Sequence, residues 1–103
     1  MRMSLAAEKD GLLVGFLLGS LYYGEFGRTE PSATLEAIGV HPDFGGGGVA
    51  AALWQAFAKN VQAMRIERVE TIVDWNDQRL LGFFHRQGFT LSTRICLERN
   101  LEK

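Results

Sequence analysis

The run Val40-His41-Pro42-Asp43-Phe44-Gly45-Gly46-Gly47-Gly48-Val49-Ala50 carries the most chemistry in the sequence. Its four consecutive glycines have no Cβ, so their backbone can lie directly against a ligand. A helical pattern follows, which puts free N–H groups and the positive end of a helix dipole behind the glycines. That combination suits an anion, above all a phosphate or pyrophosphate. The plain alternative is a flexible connector, but tetraglycine at a helix start costs conformational entropy without return. A P-loop NTPase is excluded, because Val49 and Ala50 stand where Lys and Ser/Thr are needed. Gly46-x-Gly48-x-x-Ala51 also fits the dinucleotide fingerprint, with Glu70 or Asp74 at roughly the distance of a ribose contact. Two features count against that fit. His41 to Gly45 separate the fingerprint from its strand, and the chain opens with a hairpin rather than a βαβ unit.

The elements that must hold this turn are legible on either side of it. Met3 to Lys9 reads as a short strand, and Lys9-Asp10-Gly11 as a hairpin turn. Leu12 to Tyr23 is a long second strand, whose Gly15 and Gly19 point to a bend, a bulge or a close backbone neighbour. Glu25 to Ser32 reads as a loop. Ala33 to Val40 is a third strand that Pro42 must stop, since proline cannot donate to a ladder. After the glycines, Val49, Leu53, Phe57, Val61 and Met64 draw one apolar stripe at helical period. Val69 to Trp75 alternates and reads as a strand. Asn76 and Asp77 can cap a second helix running to about Gln87, with Gly88 as its stop. Phe89 to Leu97 gives one or two final strands, and Glu98 to Lys103 a polar tail. The order β-β-β-α-β-α-β describes one mixed α/β domain over residues 1–103, with an antiparallel start and a parallel crossover through the first helix.

Composition agrees and narrows the function classes. With 103 residues, 47% hydrophobic and 22% charged, the chain suits a single globular domain and not a disordered one. Lys plus Arg number 11 against 12 Asp plus Glu, a net charge of -1, so no basic excess points to a nucleic-acid backbone. The single Cys96 rules out an internal disulfide and a cysteine-built zinc site, and fits a reducing, cytoplasmic setting. It has no neighbouring cluster and reads as a small buried residue. No His/Cys/Asp/Glu group has metal-ligand spacing. The longest apolar stretch, Leu12 to Tyr23, is broken by Gly15, Gly19 and Ser20 and is too short to span a bilayer. Glu8, Lys9 and Asp10 just before it argue against a signal peptide.

At this point the residues resemble the GNAT superfamily, the acetyl-CoA-dependent N-acetyltransferases. The family's cofactor motif, V-x-P-x-x-[QR]-G-x-G-[IV]-[GA]-x-x-L, finds Val40, Pro42, Gly46, Gly48, Val49, Ala50 and Leu53 in place. Its second motif, a strand-end Asn and a helix ending in F-[YF]-x-x-x-G-F, finds Asn76, Phe83, Phe84, Gly88 and Phe89. The resemblance covers Leu12 to about Leu97. It implies an acyl-CoA N-acyltransferase fold, lacking the family's opening strand and helices, with a pantetheine arm lying between splayed third and fourth strands. By the same resemblance, backbone groups at Ile38, Gly39 and Val40 pair with the pantetheine amides. The N–H groups of Gly45, Gly46, Gly47, Gly48, Val49 and Ala50 hold the pyrophosphate. Asn76 anchors the pantetheine, and Phe83 and Phe84 flank the thioester.

The reaction so implied is direct attack of a primary amine on the thioester of acetyl-CoA, which a nearby base assists. Glu36, on the strand before the glycine turn, is where the family often places a carboxylate; alternation puts it on the face of Ile38 and Val40, and solvent exposure is its plainer role. Asp74 is a weaker candidate, His41 reads as solvated, and His85 as a packing residue. Tyr22, Tyr23 and Glu25 end the second strand where an acceptor would enter, or else simply pack there. Trp54 and Trp75 read as core edge or interface, and Arg65, Glu67 and Arg68 as a solvated helix end. Three departures bear on activity. Gly45 replaces the family's Gln or Arg, which should weaken cofactor binding. Phe84 stands where many members carry a tyrosine that protonates the thiolate, and phenylalanine donates no proton. The missing opening elements would leave apolar faces exposed, which predicts a homodimer. The competing expectation is a domain that binds CoA or a partner subunit without catalysing transfer.

Overall fold

A computed structural model describes residues 1–23 and 30–102. They form two compact units, Met1–Ile72 and Val73–Lys103.

The first unit begins with a hairpin. β1 (Arg2–Lys9) and β2 (Leu12–Tyr22) pair antiparallel across a two-residue turn, with Lys9 opposite Leu12. Asp10 and Gly11 both take positive φ, 52° and 81°. This is the twist that a two-residue hairpin demands of its central residues. β3 (Ser32–Val40) pairs antiparallel with β2, and β4 (Val69–Thr71) pairs parallel with β3, giving the order β1-β2-β3-β4. The parallel pair needs a crossover, which α1 (Val49–Ala63) supplies.

Gly15 and Gly19 exist for the approach of that helix. A Cβ on Gly15 would sit 2.8 Å from Cγ1 of Val49, and one on Gly19 only 2.5 Å from Cε1 of Phe57. Of the predicted stripe, Leu53, Phe57 and Val61 are buried, against Leu17, Leu21, Ala33 and Leu35 of the sheet. Met64 lies past the last helical turn and stays exposed. Arg65 then turns the chain with φ 62°, and Ile66 returns to the core. Arg65, Glu67 and Arg68 are exposed, as a solvated helix end should be.

The first three strands match the sequence reading to within a residue, but the fourth and the final strand do not. The fourth strand stops at Thr71 rather than Trp75, because its partner stops accompanying it: the last pair is Leu35 with Thr71. Ile72 and Trp75 are exposed, Trp75 by 87%. In the second unit, α2 (Gln78–Arg86) forms as expected. Asp77 caps it, its Oδ1 accepting from the Leu80 N–H at 3.1 Å, and Gly88 closes it with φ 93°. The final strand predicted over Phe89 to Leu97 is not formed. A strand is stable only through a neighbour's backbone, and residues 89–97 join no strand ladder among the described residues. Its alternating Leu91, Ile95 and Leu97 are all exposed, Leu91 by 98%.

Candidate functional site

Val40 ends β3, and the His41 N–H is held by the Val14 carbonyl at 2.8 Å. Pro42–Phe44 then make one tight helical turn. Nδ1 of His41 accepts from the Asp43 N–H at 3.1 Å, so this histidine caps the turn. The turn consumes two of the glycine donors: Gly45 N–H goes to the Pro42 carbonyl at 3.3 Å and Gly47 N–H to the Phe44 carbonyl at 3.4 Å. The N–H groups of Gly46, Gly48, Val49, Ala50 and Ala51 donate to no acceptor among the described residues. Gly46 and Gly48 adopt φ of 80° and 81°, and open space surrounds the place of their missing Cβ atoms. The first turn of α1 therefore presents free donors at its positive end, behind a backbone with no side chain in front. That arrangement fits a pyrophosphate. Gly45 and Gly47 are the least suited of the predicted set, since their N–H groups are already bonded. Lys9 adds a cation beside the turn, its Nζ 5.8 Å from the centre of the Phe44 ring. The hairpin register brings it there, and no local pattern announces it.

The second feature is a split in the sheet. β3 and β4 pair only over Ala33–Val69, Thr34–Glu70 and Leu35–Thr71, with the Thr71 hydroxyl donating to the Leu35 carbonyl at 2.8 Å. Beyond that, β3 continues to Val40 beside β2 alone. Its other backbone edge at Ile38, Gly39 and Val40 thus meets no strand among the described residues, and leads straight into the glycine turn. An edge of this kind offers amide and carbonyl groups to an extended ligand. At the start of the split the β2–β3 register shifts: Leu18 faces Ala37 and Gly19 faces Leu35, which leaves Glu36 as the extra residue of a bulge.

The bulge re-aims Glu36, as bulges do. Alternation had placed it on the face of Ile38 and Val40. Instead its Oε1 accepts from the hydroxyl of Ser20, and its Oε2 lies 4.0 Å from the Arg2 guanidinium. Ser20 shares a sheet face with Phe16, whose ring covers Gly39. Glu36 therefore stands on the face opposite α1. Tyr22 ends β2 half-buried, Tyr23 is exposed, and Glu25 lies outside the described residues. Ser20 was not singled out in the sequence, because only the register brings it to Glu36.

In the second unit, Asn76 is exposed in the turn before α2. Phe83 is half-buried, and Phe84 is 4% exposed, its ring meeting Phe83 at 5.2 Å and Phe89 at 4.9 Å. Asp74 and His85 are exposed. Cys96, read as buried, is a free exposed thiol, because the strand that would have covered it does not form. Trp54 is half-buried, with its ring tilted against Phe57 at 6.4 Å. No group of three metal-ligating side chains gathers among the described residues, and no described helix is long and apolar enough to cross a membrane.

Residues 2–89 match the model of the Acetyltransferase (GNAT) family. A mycothiol acetyltransferase from Propionibacterium freudenreichii subsp. shermanii is 31% identical over 87 residues, which is 84% of this chain; the chain spans 27% of that relative's length. Among solved structures, the ribosomal-protein-alanine N-acetyltransferase from Brucella melitensis biovar Abortus 2308 superposes with a TM-score of 0.80 at 20% identity, over 96% of this chain and 71% of its own. AAC(6')-Iy in complex with the bisubstrate analogue CoA-S-monomethyl-acetylneamine gives 0.83 at 24% identity, over 96% and 69%. At such identities the superpositions establish the mixed α/β fold. The fold and the family match agree with the two motifs, and the chain belongs to the GNAT family of acetyltransferases.

Proposed function

We propose that this domain binds acetyl-CoA and transfers its acetyl group to a primary amine. One observation carries the reading: the unpaired edge of β3 at Ile38, Gly39 and Val40 runs directly into a turn whose Gly46, Gly48, Val49 and Ala50 N–H groups lack partners among the described residues. An extended, amide-bearing thioester arm that leads into a pyrophosphate matches that sequence of donors and acceptors. A relative that is a mycothiol acetyltransferase, and a similar fold seen with a CoA-linked amine analogue, support both halves of the reaction. The family's second motif gives Asn76, Phe83 and Phe84 their cofactor roles by resemblance. Tyr22 and Tyr23 would border the acceptor.

In the reaction, the neutral amine nitrogen forms a bond to the acyl carbon as the carbon–sulfur bond breaks. Glu36 takes the amine proton, directly or through water, and coenzyme A leaves as its thiolate to be protonated by solvent, since Phe84 donates no proton. The test is calorimetric titration with acetyl-CoA of the parent chain and of a Gly46→Val/Gly48→Val variant. Micromolar binding that the folded variant loses supports the site. A parent chain that does not bind acetyl-CoA overturns the enzyme reading for these residues.

Phe84 also favours a second reading, in which the domain binds CoA without turnover. A primary-amine screen that detects release of the CoA thiol separates the two. A homodimer is part of the proposal, as is a cytoplasmic setting for the free Cys96 thiol. Phe16 and Leu18, 41% and 40% exposed, lie on the sheet face opposite α1 and leave an apolar surface for a second copy.

A further inference from the structure

Ser20 is 6% exposed and sits on β2, with Arg2 opposite it on β1 and Thr34 opposite it on β3. A buried hydroxyl requires a partner, and the partner here is Oε1 of Glu36. Glu36 is the residue that the bulge leaves without a cross-strand neighbour, so no directly opposed side chain fixes its rotamer. Two contacts remain to orient it. The Arg2 contact is 4.0 Å long and the Arg2 side chain is 84% exposed, and such a pair holds little. The Ser20 contact comes from a strand interior, where the donor itself cannot wander.

We propose that Ser20 is a positioning residue for the transfer reaction. Its hydroxyl engages Oε1 and turns Oε2 of Glu36 outward as the oxygen that receives the acceptor's proton. The proposal rests on the reading of Glu36 as the base. The proton balance leaves Ser20 unchanged. The amine gives its N–H proton to Oε2 while its lone pair forms the bond to the acyl carbon. The thiolate leaves and is protonated by solvent, and Glu36 later returns its proton to solvent. Ser20 keeps its own proton throughout, donated to Oε1.

The experiment is a double-mutant cycle on the full chain, with acetyl-CoA and the best amine from the screen, read as kcat and KM. Glu36→Gln should lower kcat by about 100-fold or more. Ser20→Ala should lower it by about tenfold at unchanged KM for acetyl-CoA, and Ser20→Thr, which keeps the hydroxyl, should restore most of it. The double variant should be no slower than Glu36→Gln alone, because positioning has no value once the base is gone. A Ser20→Ala loss that multiplies in full onto Glu36→Gln overturns the positioning role and leaves the base standing. A Glu36→Gln enzyme with normal kcat overturns both. If no amine turns over, NMR couplings that report Glu36 χ1 decide the matter. One rotamer in the parent and averaging in Ser20→Ala supports the proposal. An averaged parent, or a Ser20→Ala variant that keeps one rotamer, overturns it.

Discussion

At Gly46 and Gly48, backbone angle rather than lack of room selects glycine. Both have φ near 80° with nothing within 4 Å of an added Cβ. A β-branched residue there is strained by about 1–3 kcal/mol even though it clashes with nothing. Gly48→Val should therefore lower the denaturation midpoint as well as acetyl-CoA affinity, which urea unfolding and calorimetry measure separately. Cys96 gives a second residue-scale prediction. As an exposed thiol it should react fully with a disulfide reagent in the native chain, and protection until denaturant is added would contradict the exposed tail. These residues differ in how well their sequence announced them. The turn at Gly48 was legible, because consecutive glycines before a helical pattern mark where the helix starts. Cys96 was misread, because its burial depended on a strand whose partner is absent from the described residues.

At the scale of elements, α1 is tied to the sheet through one side chain above others. Phe57 is fully buried, and its ring occupies the space that a Cβ on Gly19 would need. Phe57→Ala should cost about 3–5 kcal/mol by the loss of buried apolar surface and the cavity left behind. Gly19→Val should also destabilise, from the opposite direction, by overpacking. Chemical denaturation of both variants tests the contact, and an unaffected Gly19→Val chain would mean that the helix does not lie there. α2 depends on its cap. Asp77→Ala, which removes the acceptor for the Leu80 N–H, should cost about 0.5–2 kcal/mol, read as lost helicity at elevated temperature. Helix starts and stops were legible to within a residue or two, because caps and apolar periodicity act over a single turn. The length of β4 was not. Val69 to Trp75 alternates throughout, yet pairing ends where β3 bulges at Glu36 and departs.

At the scale of the whole molecule, exposed apolar groups include Phe16 and Leu18 on the sheet face opposite α1, Leu12 and Leu13 at the start of β2, Ile72 and Trp75, and Leu91, Ile95 and Leu97 along the tail. Light scattering at micromolar concentration should give a dimer, and Leu18→Glu should shift it toward monomer with the fold intact. A stable monomer in the parent chain would sink that expectation. The hairpin turn, the helix stripe, the caps, the glycine turn and the family motifs all depend on residues within a few positions of one another, and the amino-acid order was enough to read them. The splay of β3 from β4, the bulge that turns Glu36 to the face of Ser20, the closeness of Lys9 to Phe44, and the absence of a strand over 89–97 depend on contacts between segments distant in the chain. A ladder can slip by one residue without any change in local pattern, and a one-residue shift moves a side chain to the other face of the sheet. Which residue Glu36 meets was therefore decided by the packing of three strands, with Arg2 and Ser20 beside it, and not by the spacing of residues along one.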